Sequence, residues 1–191
     1  MVDEIAVNGR VGASRSRSVA FCGLCVAIMA VSAWITVPLG PVPFTLQIFA
    51  MVFAILVLPP KEAVASIAIY LLMGAVGLPV FSSMRGGIGV IAGPTGGFLW
   101  GYLLGVLVVV AFLKLMDRSG VKRGAYIDFV AAFIFLAVCY LTGWVQLAVV
   151  AQMGMAAAFA AAIAPFVIVD VVKIIAAVGV ARAVRRAVRL S

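Results

Sequence analysis

Two charged residues, Asp170 and Lys173, stand in the apolar run Pro-Phe-Val-Ile-Val-Asp-Val-Val-Lys at 165–173, and no other charge occurs between Met155 and Ala181. At the centre of a membrane helix each costs about 2.5–3.5 kcal/mol, so something must offset them. A spacing of three residues puts both side chains on one helical face. A carboxylate and an ammonium placed in this way can pair and still offer hydrogen-bonding groups to a third party. The residues alone leave two readings open. One is a site for a polar ligand; the other is an internal ion pair that only locks helix packing, for which desolvation offsets much of the attraction.

Other chemistry lacks its parts. The chain has no histidine, no pair of acidic residues on one helical face, no zinc motif and no Ser/His arrangement, so hydrolytic and metal-assisted reactions are excluded and no cofactor is expected. Cys22 and Cys25 are neighbours on one helix face and Cys139 is distant, which makes neither a disulfide framework nor a metal set; all three read as small core residues. The glycines of 86–97 lack the Gly-Lys-Ser/Thr ending and the preceding strand of a phosphate loop. Uphill transport would therefore draw on a partner or an ion gradient. A proton relay through Asp170 is disfavoured, because the adjacent Lys173 holds it ionised.

The elements that carry these residues follow from composition. With 191 residues, 66% hydrophobic and 10% charged, and a mean hydropathy of +1.31, the chain reads as one all-α integral membrane protein. Six transmembrane helices are expected, at about 19–37, 45–58, 63–78, 98–115, 129–150 and 165–184. The domain division is a polar lead-in at 1–18, a six-helix membrane domain at 19–184 and a basic tail at 185–191. A cleaved signal peptide is disfavoured, since the apolar run from Val19 to Val37 is too long for an h-region and lacks a cleavage site. In this first span Ala20, Gly23, Ala27 and Ala30 form a strip of small residues that lets another backbone approach closely. Three prolines and a glycine in 38–43 predict a tight irregular loop. The segment 79–97 is too glycine-rich for ordinary helix and too apolar for a solvated loop, and is expected to lie against the bundle as a lid or wall. A short Ala-rich link precedes the last span, whose first turn holds Pro165.

An even number of spans puts both termini on one side. Arg10, Arg15, Arg17, Lys61, Lys114, Arg118, Lys122, Arg123 and the four tail arginines share that side, whereas only Arg85 lies opposite. The positive-inside rule makes both termini cytoplasmic and the two irregular loops external. It also accounts for the formal charge of +8 better than nucleic acid does, since no basic face interleaved with aromatics exists. Measured back from Arg182, Lys173 lies about 14 Å and Asp170 about 18 Å from the inner boundary. Both then point into the half of the bundle beneath those loops. Tyr140, Thr142, Trp144 and Gln146 cluster towards the same end, as an interfacial aromatic belt or as part of a pocket. Arg85 is either a solvated interfacial arginine or a ligand contact.

Four stretches in order, Pro-Leu-Gly-Pro-Val-Pro-Phe-Thr-Leu-Gln (38–47), Gly-Leu-Pro-Val-Phe (77–81), Gly-Pro-Thr-Gly-Gly-Phe (93–98) and Pro-Phe with the later Asp and Lys (165–173), resemble the BioY family. These are the biotin-binding membrane components of energy-coupling-factor transporters, and the resemblance covers nearly all of the chain after Arg17. It implies a six-helix substrate-capturing subunit in the cell membrane that binds biotin near the outer face, with a related subunit for another small vitamin, or a self-sufficient ion-coupled carrier, as the alternatives. Separate chains, a membrane-embedded coupling subunit and two ATPase subunits, would drive uptake. It assigns ligand contacts to Asp170 and Lys173, and extends the candidate set to Thr45, Gln47, Tyr140 and Trp144. A further family contact falls on Arg85, where an amide or small residue is usual, so Arg85 departs from the pattern. The strip Ala20, Gly23 and Ala27 looks like the surface such subunits use against the coupling subunit.

Overall fold

A computed structural model of the chain describes residues 2–38 and 40–188, with side chains for 16–38 and 40–187. Helices account for nearly all of its regular structure: α1 Val2–Trp34, α2 Gln47–Val57, α3 Pro60–Ala75, α4 Ile88–Ala92, α5 Gly96–Arg118, α6 Ala125–Val150, α7 Met155–Ala162 and α8 Val167–Val188. The lead-in expected at 1–18 is continuous with α1. The side chains of Arg10 and Arg15, and residue Arg189, belong to the basic pattern but lie outside the described residues.

Among the described residues three helices are long and apolar enough to cross a membrane, Ser16–Trp34 of α1, α5 and α6; α7 and α8, bent by 45°, form a fourth candidate as a pair. The α2 helix has 11 residues, about 16 Å of rise against a hydrocarbon core of about 30 Å. It is apolar on every side because it is enclosed by protein: from Gln47 to Val57 only Phe49 and Phe53 are not buried. The α3 helix starts on Pro60, where the missing N–H is harmless, with Glu62 in its first turn.

Tight backbone approach governs the α5–α6 pair. A Cβ at Gly97 would stand 2.3 Å from the Thr142 carbonyl oxygen, one at Gly101 2.7 Å from Cys139 Cα, and one at Gly105 2.7 Å from the Phe135 ring. A small residue at every fourth position is what such an approach requires. The corresponding strip of α1 behaves differently. Ala20, Gly23 and Ala27 are exposed, and a Cβ at Gly23 meets nothing within 4 Å. The backbone this strip is expected to admit is therefore not one of this chain's own; Ala20, Gly23 and Ala27 face outward, and of the strip only Ala30 is buried.

One end of the bundle is knotted by charge. Asp128, wholly buried in the first turn of α6, accepts from Arg123 (3.0 Å), Arg182 (3.2 Å) and Arg185. Arg123 also donates to the Leu56 carbonyl (3.2 Å), which α2 leaves without a helical partner. Burial, reinforced by nearby Arg185, pulls the Arg123 guanidinium below its usual pKa range. Ser18 of α1 bonds Glu62 of α3 at the same end. Three arginines that the sequence presents as surface charges thus turn inward around one acid.

The opposite end carries both irregular segments. The proline loop is not wholly irregular: Thr36–Val37 (β1) pairs antiparallel with Phe44–Thr45 (β2), Thr36 facing Thr45. The prolines lie between these strands, so none has to donate to the pairing. Residues 79–97 form a roof that contains a turn at Ser82–Met84 and the one-turn helix α4. The expected Ala-rich link is the helix α7, because eight residues dominated by alanine are strong helix formers even where too short to span. Pro165 lies in the break before α8, two residues ahead of its first turn.

Candidate ligand-binding site

A cavity beneath the roof is walled by the proline ribbon and α2 (Val42, Pro43, Phe44, Thr45, Gln47, Ile48), the roof (Phe81, Ser82, Val90, Thr95), α5 (Phe98, Leu99, Tyr102), Tyr140 of α6, Ala162 and Phe166 around the α7–α8 break, and Asp170 and Lys173 of α8. The break in that last pair of helices exposes the first turns of α8 to the interior. Asp170 therefore sits one turn inside a helix start, where the helix dipole favours a carboxylate.

Asp170 and Lys173 are 4% and 7% exposed and paired at 2.7 Å. The other Asp170 oxygen accepts from the Tyr140 hydroxyl at 2.6 Å. The Lys173 ammonium also donates to the Thr45 carbonyl at 2.6 Å and stands 3.8 Å from the centroid of the Phe44 ring. All three of its N–H directions thus face protein groups, and it joins α8 to the ribbon. The carboxylate has used about two of its four lone-pair sites. What the pair presents to a guest is chiefly acceptor capacity, suited to N–H donors. Thr45 donates its hydroxyl to Gln47 Oε1 (3.1 Å) and Gln47 Nε2 donates to the Tyr70 hydroxyl (2.7 Å), so these neighbours are fixed by bonds of their own. Aromatic and aliphatic side chains line most of the remainder, as small-molecule sites commonly show. Among the described residues no group of His, Cys, Asp and Glu could hold a metal ion.

The structure gathers Asp170, Lys173, Thr45, Gln47 and Tyr140 of the sequence candidates around one cavity. Two others lie outside it. Arg85, which closes the roof turn, is exposed; its Nε donates to the Ser82 carbonyl, at 3.4 Å, and it does not line the cavity. Trp144 is half-buried; its indole N–H donates to the Met155 carbonyl at 2.8 Å and its ring meets Phe159 edge-on. Both partners belong to α7, and Trp144 does not line the cavity. Gln146, from the same cluster, reaches instead to the roof, donating to the carbonyls of Ile91 (2.9 Å) and Gly93 (2.8 Å). Phe44, Ser82 and Tyr102 line the cavity without having been singled out, since nothing in their local sequence separates a lining aromatic or serine from a packed one.

Against known proteins, the model of the BioY family matches residues 6–190. The chain belongs to the BioY family. A relative from Pyrococcus horikoshii, named a probable biotin transporter BioY, is 39% identical over 167 residues, 87% of this chain and 95% of its own. One from Thermotoga maritima, named a biotin transporter BioY, is 49% identical over 87 residues, 46% of this chain and 52% of its own. A solved structure described as the S-component for biotin from an ECF-type ABC transporter superposes with a TM-score of 0.83 over 91% of this chain and 93% of its own, at 21% identity. At that identity the likeness concerns the fold alone, which is all-helical in this chain.

Proposed function

We propose that this BioY chain is the biotin-capturing membrane subunit of an energy-coupling-factor transporter, with Asp170 at the centre of its binding site. The observation that carries the proposal is the hydrogen-bonded trio of buried Asp170 and Lys173 with half-buried Tyr140 at the cavity beneath the roof. Biotin's ureido ring has two N–H donors and one carbonyl; Asp170 retains acceptor sites for the former, and the spare amide hydrogen of Gln47 suits the latter. The apolar walls suit its fused rings and aliphatic chain. Relatives named as biotin transporters support the same ligand.

In this reading the chain crosses the plasma membrane six times, with α2 as a short enclosed pass and α3 as a short peripheral one, both termini in the cytoplasm and the roof outside. The outward strip of Ala20, Gly23 and Ala27 docks on a membrane-embedded coupling subunit, and two ATPase subunits supply the energy. The rival reading is a self-sufficient ion-coupled carrier. Uptake of labelled biotin by cells carrying this chain, with and without the coupling and ATPase subunits, separates the two. Uptake that needs those subunits is the expected result; uptake that persists without them and stops with an uncoupler supports the carrier.

A further inference from the structure

The roof is held at four backbone carbonyls. Trp34 Nε1 donates to Pro79 (2.7 Å), Tyr70 to Val80 (2.9 Å), and Gln146 to Ile91 and Gly93. Of the three side chains, only Tyr70 is fully buried, and it does not line the cavity. Its hydroxyl accepts from Gln47, which does line it. Gln47 also accepts from the Thr45 hydroxyl, and the Thr45 carbonyl accepts from Lys173, which pairs with Asp170, so hydrogen bonds joined through Thr45 link the polar floor to the roof backbone. The Tyr70 ring also meets Phe81 edge-on, with centroids 5.7 Å apart. Phe81 forms part of the cavity wall, and its ring covers Gly74 so closely that a Cβ there would come within 2.0 Å.

Two further facts bear on what this path does. The cavity offers about 60 Å³ of free space, far below the roughly 300 Å³ of a small-molecule site, so admitting a bicyclic guest requires the walls to move. The backbone between the roof's anchors stores strain: Ser83 (φ 58°) and Met84 (φ 55°) are left-handed without being glycine. A strained segment released at its anchors is the wall best able to move. We propose that Tyr70 is a positioning residue for ligand retention, coupling the Gln47 amide at the cavity to the Val80–Phe81 part of the roof, so that a guest held by the floor keeps the roof shut. This rests on the reading of the cavity as a biotin site.

Tyr70→Phe removes both hydrogen bonds and keeps the ring against Phe81. Stopped-flow measurements with biotin should show dissociation about tenfold faster, the factor given by about 1.4 kcal/mol of lost latch, with association within about twofold. A merely structural role for Tyr70 predicts a lower Tm with both rate constants unchanged, and that result overturns the proposal. Hydrogen exchange supplies a second measurement on the wild-type protein. Biotin should slow exchange at the amides of Phe81 and Gly87, which bond Arg85 O and Gly74 O; no slowing overturns the proposal even if the variant fails to fold. Should wild type not bind biotin, the site reading fails, and exchange in the two proteins without ligand still decides the latch. Faster exchange at Phe81 and Gly87 in Tyr70→Phe supports it, and equal exchange overturns it.

Discussion

Asp170→Asn is the substitution that separates a ligand site from a structural ion pair. Asp170 is 4% exposed and holds Lys173 at 2.7 Å and Tyr140 at 2.6 Å. Removing its charge leaves the buried ammonium with the Thr45 carbonyl and the Phe44 ring but no anion. Breaking a buried pair on one side costs about 3–5 kcal/mol, whereas replacing both partners with apolar groups of similar volume is often near neutral. Stability should therefore fall in Asp170→Asn and largely recover in the double variant Asp170→Asn/Lys173→Met. Binding should follow a different course. A hydrogen bond to a charged acceptor contributes about 1.5–3 kcal/mol, so biotin affinity should fall by about 10- to 150-fold in the single variant and stay low in the double. Thermal unfolding gives the first quantity and calorimetric titration of folded protein the second. If affinity is unchanged in Asp170→Asn, or returns with stability in the double variant, the pair only locks packing and the ligand lies elsewhere.

Gly23→Leu should leave Tm and biotin affinity unchanged, because its Cβ meets nothing in the chain, while abolishing co-purification with the coupling subunit; intact co-purification refutes docking through α1. Asp128→Asn unpairs three arginines around a wholly buried acid and should lower stability by about 3–5 kcal/mol in denaturant unfolding, with biotin affinity of the folded fraction kept. Arg85→Gln should leave affinity within about twofold by titration, since its side chain is exposed outside the cavity. A larger loss would mean that the arginine swings inward on binding.

Long, uniformly apolar runs carry their own signature, and α1, α5 and α6 are legible from it. The enclosed α2 helix is also legible, because all-round hydrophobicity marks a helix that never meets water. The Asp170–Lys173 pair stands out for the opposite reason, as charge where charge is expensive. Asp128 escapes notice because an acid in a helix's first turn has an ordinary explanation in the helix dipole, and its three partners lie 5, 54 and 57 residues away. Tyr70 is lost in the same way: a tyrosine within an apolar helix reads as packing until its hydroxyl is seen between Gln47 and Val80. Arg85 and Trp144 show the converse limit. Each lies close in sequence to a cavity residue, Arg85 near Ser82 and Trp144 one turn from Tyr140, yet Arg85 bonds within the roof turn, Trp144 is tied to α7, and neither lines the cavity.

The central claim, that the cavity over Asp170 takes biotin, is tested most directly by titrating biotin into the detergent-purified chain under calorimetry. Saturable one-to-one binding with a submicromolar Kd, lost on Asp170→Asn, is the predicted result. No heat change at micromolar biotin with folded wild-type protein would contradict it.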